Sequence, residues 1–270
     1  MDYEITIITS ILNGKDFIKG FLEDVERQTM FKQSQLVMVD ANSDEYEETE
    51  KHIHPFVKKH DNVSYHKIII DDDNKKRNIP GVYKVWNTII KEYAQAEILT
   101  NWNIDDRRHP DHIKIHYDAL TENPAIHLAY APVLETLFPN ETMENNKAHG
   151  VLDFPDYSIE WLFQVNMPHN SPVWKRSIHD SCGYFDETFF SAGDYDLWIR
   201  AALDGKEFLK VSNDPLALYY KNPNGISTKE STLEKALVEV ASVRNKYLPV
   251  YLKNVKGSLA NPVAMNYYNS

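Results

Sequence analysis

The sequence predicts an α/β fold, with a mostly parallel central sheet covered on both faces and a less regular second half. Three observations point there. Short apolar runs alternate with stretches of helical periodicity through the first 120 residues. The runs are apolar at consecutive rather than alternating positions, as strands buried on both faces must be. Polar clusters (TSILNG, DANSD and NWNIDD) close three of those runs, and open parallel sheets bind ligands outside such carboxyl ends.

The elements follow in order. EITIITS (4–10) is β-branched and leads through Asn13-Gly14 into a turn, so it reads as a strand. Residues 15–28 space Phe17, Phe21, Leu22 and Val25 along one helical face. QLVMVDA (35–41) is a second strand, closed by Asn42, Ser43 and Asp44, and an acidic helix over 44–60 comes next. SYHKIII (64–70) is a third strand, followed by the charged loop DDDNKKRNIPG. Residues 82–93 place Val82, Val85, Trp86, Ile89, Ile90 and Tyr93 on one helical face, and AEILTNW (96–102) is a fourth strand. A helix is expected from Pro110.

The second half reads as a strand at 127–135, a mobile polar connection at 136–156, and mixed loops and helices over 161–208, including a helix at 193–203. FLKVSN and LALYYK supply late strands, and 228–247 forms a long amphipathic helix. No repeat, low-complexity tract or linker divides the chain.

Hydrophobic residues make up 42% of the chain and charged ones 26%, a balance typical of a globular core with a solvated surface. A net charge of −11 argues against a nucleic-acid partner gripped by a broad basic face. Cys182 is the only cysteine, so no intramolecular disulfide forms. MDYEITIITS lacks the apolar stretch of a signal peptide, and no run approaches the roughly 18 apolar residues of a transmembrane segment. A cytoplasmic protein is therefore expected.

Several common sites are excluded. GxGxxG, GxxxxGK[ST] and GxSxG are all absent, which removes the dinucleotide fingerprint, the phosphate loop and the hydrolase nucleophile elbow. His112 and His116 share one face of the helix after Pro110; surface histidines are the favoured reading over a zinc site.

ITIITSILNG, LVMVDANSD, PGVYKVWNTIIKEYAQAEILTNWNIDDRRHPD, SPVWKRSIHDSCGYFDETFFSAGDYDLWIRAA and YYKNPNGIS, in that order, resemble the inverting glycosyltransferases of family 2. No fragment is specific alone; their order is. The resemblance implies a GT-A-type three-layer α/β/α sandwich forming a single domain over 1–270. Within it, 1–122 would bind the nucleotide sugar, 123–227 would form the acceptor side and carry the catalytic base, and 228–270 would be a C-terminal helical segment. The implied reaction moves a sugar, with inversion, from a UDP- or dTDP-linked donor to a hydroxyl of a glycan, lipid-linked or protein-linked acceptor. A divalent metal, Mn²⁺ or Mg²⁺, would assist, and self-association stays open.

The same resemblance assigns roles. Asp40, in Asp40-Ala41-Asn42-Ser43, would accept the imide N–H of uracil or thymine, with Thr9, Ser10 and Ser43 at the edge of the base and ribose site. Asp105 would hold the metal against the diphosphate, and Asn103, standing where the family has its first Asp, would serve the ribose or the ligands behind it. Asp106 has other readings: a cap on the following segment, or a partner for Arg107 or Arg108. Asp194, in SAGDYD, would be the base, with Gly193 in place of the family's Glu and Asp196 serving the helix start. Lys84 and Asn87 lie in the donor-packing segment, where Lys84 reads equally as a diphosphate ligand or a solvated lysine. Trp174 would offer a sugar-stacking face or belong to the core. Two rivals remain: a sugar-nucleotide nucleotidyltransferase, disfavoured because TSILNGKDF lacks glycine- and arginine-rich phosphate binding, and a catalytically degenerate binding domain.

Overall fold

A computed structural model describes residues 2–41, 43–44, 46–69 and 81–259, with side chains to residue 255. Its first strand, β1 (Ile5–Ile11), runs through the middle of a seven-stranded sheet and is buried everywhere except at Ser10. β2 (Ser34–Ala41) pairs with it in parallel on one side and β4 (Ile98–Asn101) on the other. β3 (Val63–Ile68) extends the sheet beyond β2. Past β4 come β9 (Val173–Lys175), β6 (Ile126–Tyr130) and β10 (Glu207–Lys210), with β9 antiparallel to both its neighbours.

Alternation along β2 divides the interior into two cores. Leu36 and Met38 face α1 (Ile18–Glu26), α2 (Tyr46–Lys59) and α4 (His112–Glu122), joining Phe21, Ile53 and Ile113. Val37 and Val39 face α3 (Val82–Thr88, ending in a π-helical turn), α6 (Ser177–Cys182) and α7 (Gly193–Leu203), joining Trp86, Ile178 and Trp198. The three-layer α/β/α arrangement expected from the sequence is thereby formed.

A second sheet, in the order β5 (Arg107–Arg108), β11 (Ala217–Tyr220), β7 (Val133–Thr136) and β8 (Gly150–Leu152), flanks the carboxyl edge of the first. It accounts for the main departures from the sequence reading. The apolar stretch 127–135 is two strands, because Pro132 supplies no N–H to a continuous ladder and the chain changes sheet there. The polar connection 136–156 contains β8, which pairs antiparallel with β7, and a turn in which the Asn146 amide bonds the Thr142 and Met143 carbonyls. The final helix, α8 (Glu230–Leu259), starts and ends later than 228–247. It buries Ala236 and Val243 against the α7 side, where the short α5 (Ile159–Leu162) also packs. Part of the expected strand 64–70 and nearly all of the DDDNKKR loop lie outside the described residues.

Candidate active site

A cavity of about 940 Å³ opens where β1 and β4 end, within the size range of small-ligand sites. Ser10 and Ala41 line one wall, Asn103 and Asp105 the floor, and Asn222 and Ser227 the opposite side.

Asp40 sits at the end of β2 and is 2% exposed. Its Oδ1 accepts the Ser43 N–H at 2.8 Å, and the Ser43 hydroxyl accepts the Asn13 N–H at 2.9 Å, which ties the β2 turn to the turn after β1. Asp40 Oδ2 and Thr9 Oγ1 are buried without a hydrogen-bond partner among the described residues. A bare buried carboxylate oxygen is costly, so Asp40 calls for a donor.

The adjacent carboxylates Asp105 and Asp106 are handled in opposite ways. Asp105 faces the cavity, and its Oδ2 accepts from the Asn222 amide at 3.0 Å. Asp106 turns inward and accepts three hydrogen bonds, from Asn103 Nδ2 at 3.1 Å, Asn170 Nδ2 at 2.9 Å and the Tyr220 N–H at 3.2 Å. Burial raises the pKa of both, and the charge of Asp105 raises Asp106 further. Neither expected role of Asp106 holds. Arg107 gives its guanidinium to the Ile104 and Asp106 carbonyls and to Asn140 Oδ1. Arg108 gives its own to Thr100 Oγ1 and the Asn101 carbonyl, lying over the Trp102 ring. Both arginines are buried, and they brace the turn through its backbone.

Asp194 stands on the first turn of α7. Asn166 Nδ2 donates to its Oδ2 at 3.0 Å. The single Tyr83 hydroxyl hydrogen meets two acceptors, the Ser191 carbonyl at 2.6 Å and Asp194 Oδ1 at 3.1 Å. Burial pushes the Asp194 pKa up, partly offset by the Asn166 bond. Gly193 has a physical reason: a Cβ there would come within 2.8 Å of the Tyr83 ring, so no side chain fits while the ring stays in place. The loop before α7 is held from α8, whose Glu239 carboxylate accepts the Phe190 and Ser191 N–H groups at 2.7 Å and that of Ala192 at 3.2 Å. Asp196 serves the same junction, bonded to Arg200, Lys246 and Tyr247.

Of the three acids singled out in the sequence, Asp105 lines the cavity, whereas Asp40 and Asp194 are not among its lining residues. Asn170 spends its amide hydrogens on Asp106, so its Oδ1 is the acceptor facing His169 Nδ1 at 3.1 Å. His169 is thereby protonated on Nδ1, and it feels the charge of Asp194.

Other expected residues are engaged elsewhere. Asn87 bridges to Phe185 and Glu187 with three hydrogen bonds, and Lys84 does not line the cavity. Trp174 is fully buried against Phe185 and Trp198 and donates to His179 Nε2 at 3.0 Å, so the sugar-stacking expectation is withdrawn. His112 and His116 are not on the surface. They are buried, with ring centroids 4.1 Å apart. Asn166, Asn170 and Glu239 had no distinguishing mark in the sequence, whereas Asn222 sat in the fragment YYKNPNGIS without a role.

Among the described residues no group of three or more His, Cys, Asp or Glu forms a metal cage. The cavity fits a divalent ion of another kind. Asp105 offers one hard oxygen facing a space large enough for a diphosphate, and Mg²⁺ or Mn²⁺ bound through one carboxylate takes its other ligands from phosphate and water.

No protein-family model matches the sequence, and no curated protein matches it. Solved structures do. TarS residues 1–349 from S. aureus, in complex with UDP-GlcNAc, superposes with a TM-score of 0.66 at 16% identity, over 89% of this chain and 66% of that one. The mannosyltransferase PcManGT from Pyrobaculum calidifontis, in complex with GDP-Man and Mn²⁺, gives 0.59 at 14%, over 88% and 62%. Glucosyl-3-phosphoglycerate synthase from Mycobacterium tuberculosis, in complex with Mg²⁺ and UDP, gives 0.55 at 12%, over 90% and 80%. The chain thus spans just under two thirds of the TarS fragment and shares the GT-A fold of all three.

Proposed function

We propose that the chain transfers a sugar, with inversion, from a pyrimidine nucleotide-diphosphate donor to an acceptor hydroxyl. The observation that carries this reading is Asp105 facing a cavity at the carboxyl edge of the sheet, with a second half-buried carboxylate, Asp194, held on a helix start. The fold is shared with proteins solved bound to UDP, UDP-GlcNAc and GDP-Man, which supports a nucleotide-sugar donor without choosing the base. In this reading 1–122 form the donor half and 123–227 the acceptor half of one domain.

Asp40 narrows the base. Ser43 already engages Oδ1, and Oδ2 is the oxygen left without a partner among the described residues, suited to one N–H. Uracil and thymine present one imide N–H, whereas guanine presents two donors side by side and would need both oxygens. Thr9 and Ser10 flank this edge. Asp105 would hold Mn²⁺ or Mg²⁺, and a bound ion would offset charge gathering on the departing diphosphate. Asp194 takes the proton from the acceptor hydroxyl as its oxygen attacks the anomeric carbon, and Asn166 fixes the carboxylate for that task. Among the described residues no helix is long and apolar enough to cross a membrane.

A second reading, a domain that binds nucleotide sugars without turning them over, is favoured by one feature. The polar residues lining the cavity with Asp105 include the amides Asn103 and Asn222, and the one bonded to Asp105 is Asn222, not a second carboxylate. A nucleotidyltransferase is less well supported, since Leu12, Asn13 and Asp16 line the cavity after β1 and, among the described residues, no arginine does. Calorimetry with UDP, dTDP and GDP, each with and without Mn²⁺, followed by donor hydrolysis, separates the readings. UDP or dTDP should bind at least tenfold more tightly than GDP, and slow hydrolysis should follow. Equal affinity for GDP ends the assignment of Asp40, and binding without turnover across a donor panel favours the non-catalytic reading.

A further inference from the structure

The helix α8 carries two apolar faces where a surface helix needs one. The first, with Ala236, Val240, Val243 and Tyr247, packs on the body. The second is bare: Leu233, Leu237, Leu248 and Leu252 are 43%, 61%, 40% and 46% exposed. Their spacings are four, eleven and four residues, which keeps them on one stripe, because eleven residues make close to three full turns. The series reads the same from either end. Its midpoint falls between Ser242 and Val243, and the stripe spans about 28 Å.

Charge follows the same symmetry. Glu239 and Arg244 are turned onto the body, so the exposed charges of the first part, 230–241, are Glu230, Glu234 and Lys235, a net of −1. Those of the second, 242–255, are Lys246, which also reaches Asp196, and Lys253, a net of +2. Two parallel copies would set like against like, whereas two antiparallel copies set acidic half against basic half. The exposed Trp161 extends the apolar surface beside the second half, where α5 touches α8 through Glu160–Tyr251 and Gln164–Arg244.

The geometry points to a second copy of this chain as the occupant of the stripe. Two protomers pair through antiparallel α8 helices on a twofold axis at 242–243, with Leu233 and Leu237 of one against Leu252 and Leu248 of its partner. A palindromic stripe suits an isologous contact, in which every residue meets its mirror position. This inference is independent of the proposed reaction.

Light scattering on the full chain tests it. The expected mass is twice the 31.4 kDa of one chain at micromolar concentration. Leu237→Glu should halve that mass, or raise the dissociation constant at least 100-fold, with circular dichroism unchanged because the site is exposed. Register is read by disulfide formation in a Cys182→Ser background. A mixture of L237C and L248C chains should cross-link. Neither should do so alone, since identical positions then lie about 16 Å apart, beyond disulfide reach. A monomeric wild-type chain overturns the proposal, as does a dimer indifferent to Leu237→Glu, a trimer, or L237C cross-linking to itself. A monomer that sediments with anionic phosphatidylserine vesicles through the same leucines also overturns it, in favour of a lipid surface.

Discussion

Asn222 donates its side-chain amide to the Asp105 carboxylate across 3.0 Å, tying the cavity floor to the loop that leads into α8. The amide orients the carboxylate without cancelling its charge, so Asp105 keeps its attraction for a cation. Asn222→Asp would add a second hard anionic ligand. In the presence of UDP it should tighten Mn²⁺ binding by about tenfold, read by calorimetric titration of the metal. Unchanged affinity would remove Asp105 from the metal site.

Asp194→Asn should lower turnover by about 10²-fold or more and leave UDP affinity nearly intact. Because burial raises the Asp194 pKa, the wild-type rate should fall on the acid side at a pH above the ordinary carboxylate value of 3.8. The base works ionised, so raising its pKa moves that limb upward. A pH–rate profile whose acid limb lies at or below pH 3.8, or is unaltered in the variant, would assign the step to another group.

Asp40→Asn replaces a charged acceptor with a neutral amide at a buried edge. A hydrogen bond to a charged group is worth about 1.5–3 kcal/mol, so UDP affinity should fall by roughly 10- to 100-fold. Calorimetry with UDP reads the change, and undiminished binding would take the nucleobase away from β2.

Glu239→Ala strips three backbone N–H groups of their acceptor at the start of α7. Loss of a cap of this kind costs about 1–2 kcal/mol, which should appear in thermal unfolding as a melting temperature lower by a few degrees. Glu239→Gln keeps an acceptor oxygen and should lose less. Equal melting temperatures for all three proteins would mean that α8 does not hold this loop.

Acid should weaken the fold early. Burial holds His116 at about 3 and His179 at about 4, and drives His112 well below its usual range. Above pH 6.5 these side chains are neutral in both states and contribute no pH dependence. As pH falls below 6.5 the unfolded chain takes up protons that the folded chain refuses, and stability declines. At pH 5 His116 and His179 each account for about 2 kcal/mol, and His112 acts in the same direction. Urea unfolding at pH 7.5 and pH 5 should reveal the loss, and a flat profile would mean that the rings are protonated inside the fold.

Much of this architecture could be read from the chain itself. β1, β2 and β4 are legible because strands covered on both faces leave unbroken apolar runs, and Asp40 and Asp105 are legible because they end those runs. Asp105 and Asp106 differ only in the direction the turn aims each side chain, which adjacency in sequence does not encode. Arg107 and Arg108 look like surface charges until their guanidinium groups find backbone carbonyls from the same turn and from β4. Trp174, His112 and His116 have polar atoms that suggest contact with ligands, yet long-range packing takes them inside. Asn170 and Glu239 act across 64 and 47 or more residues of chain, and local pattern carries no trace of such distances.

The phenol ring of Tyr83 and the missing side chain of residue 193 occupy one volume between them. A side chain at position 193 needs a smaller residue at position 83, and shrinking position 83 strips Asp194 of its hydroxyl neighbour. The two positions are therefore coupled, and a change at either one is felt by the carboxylate beside them.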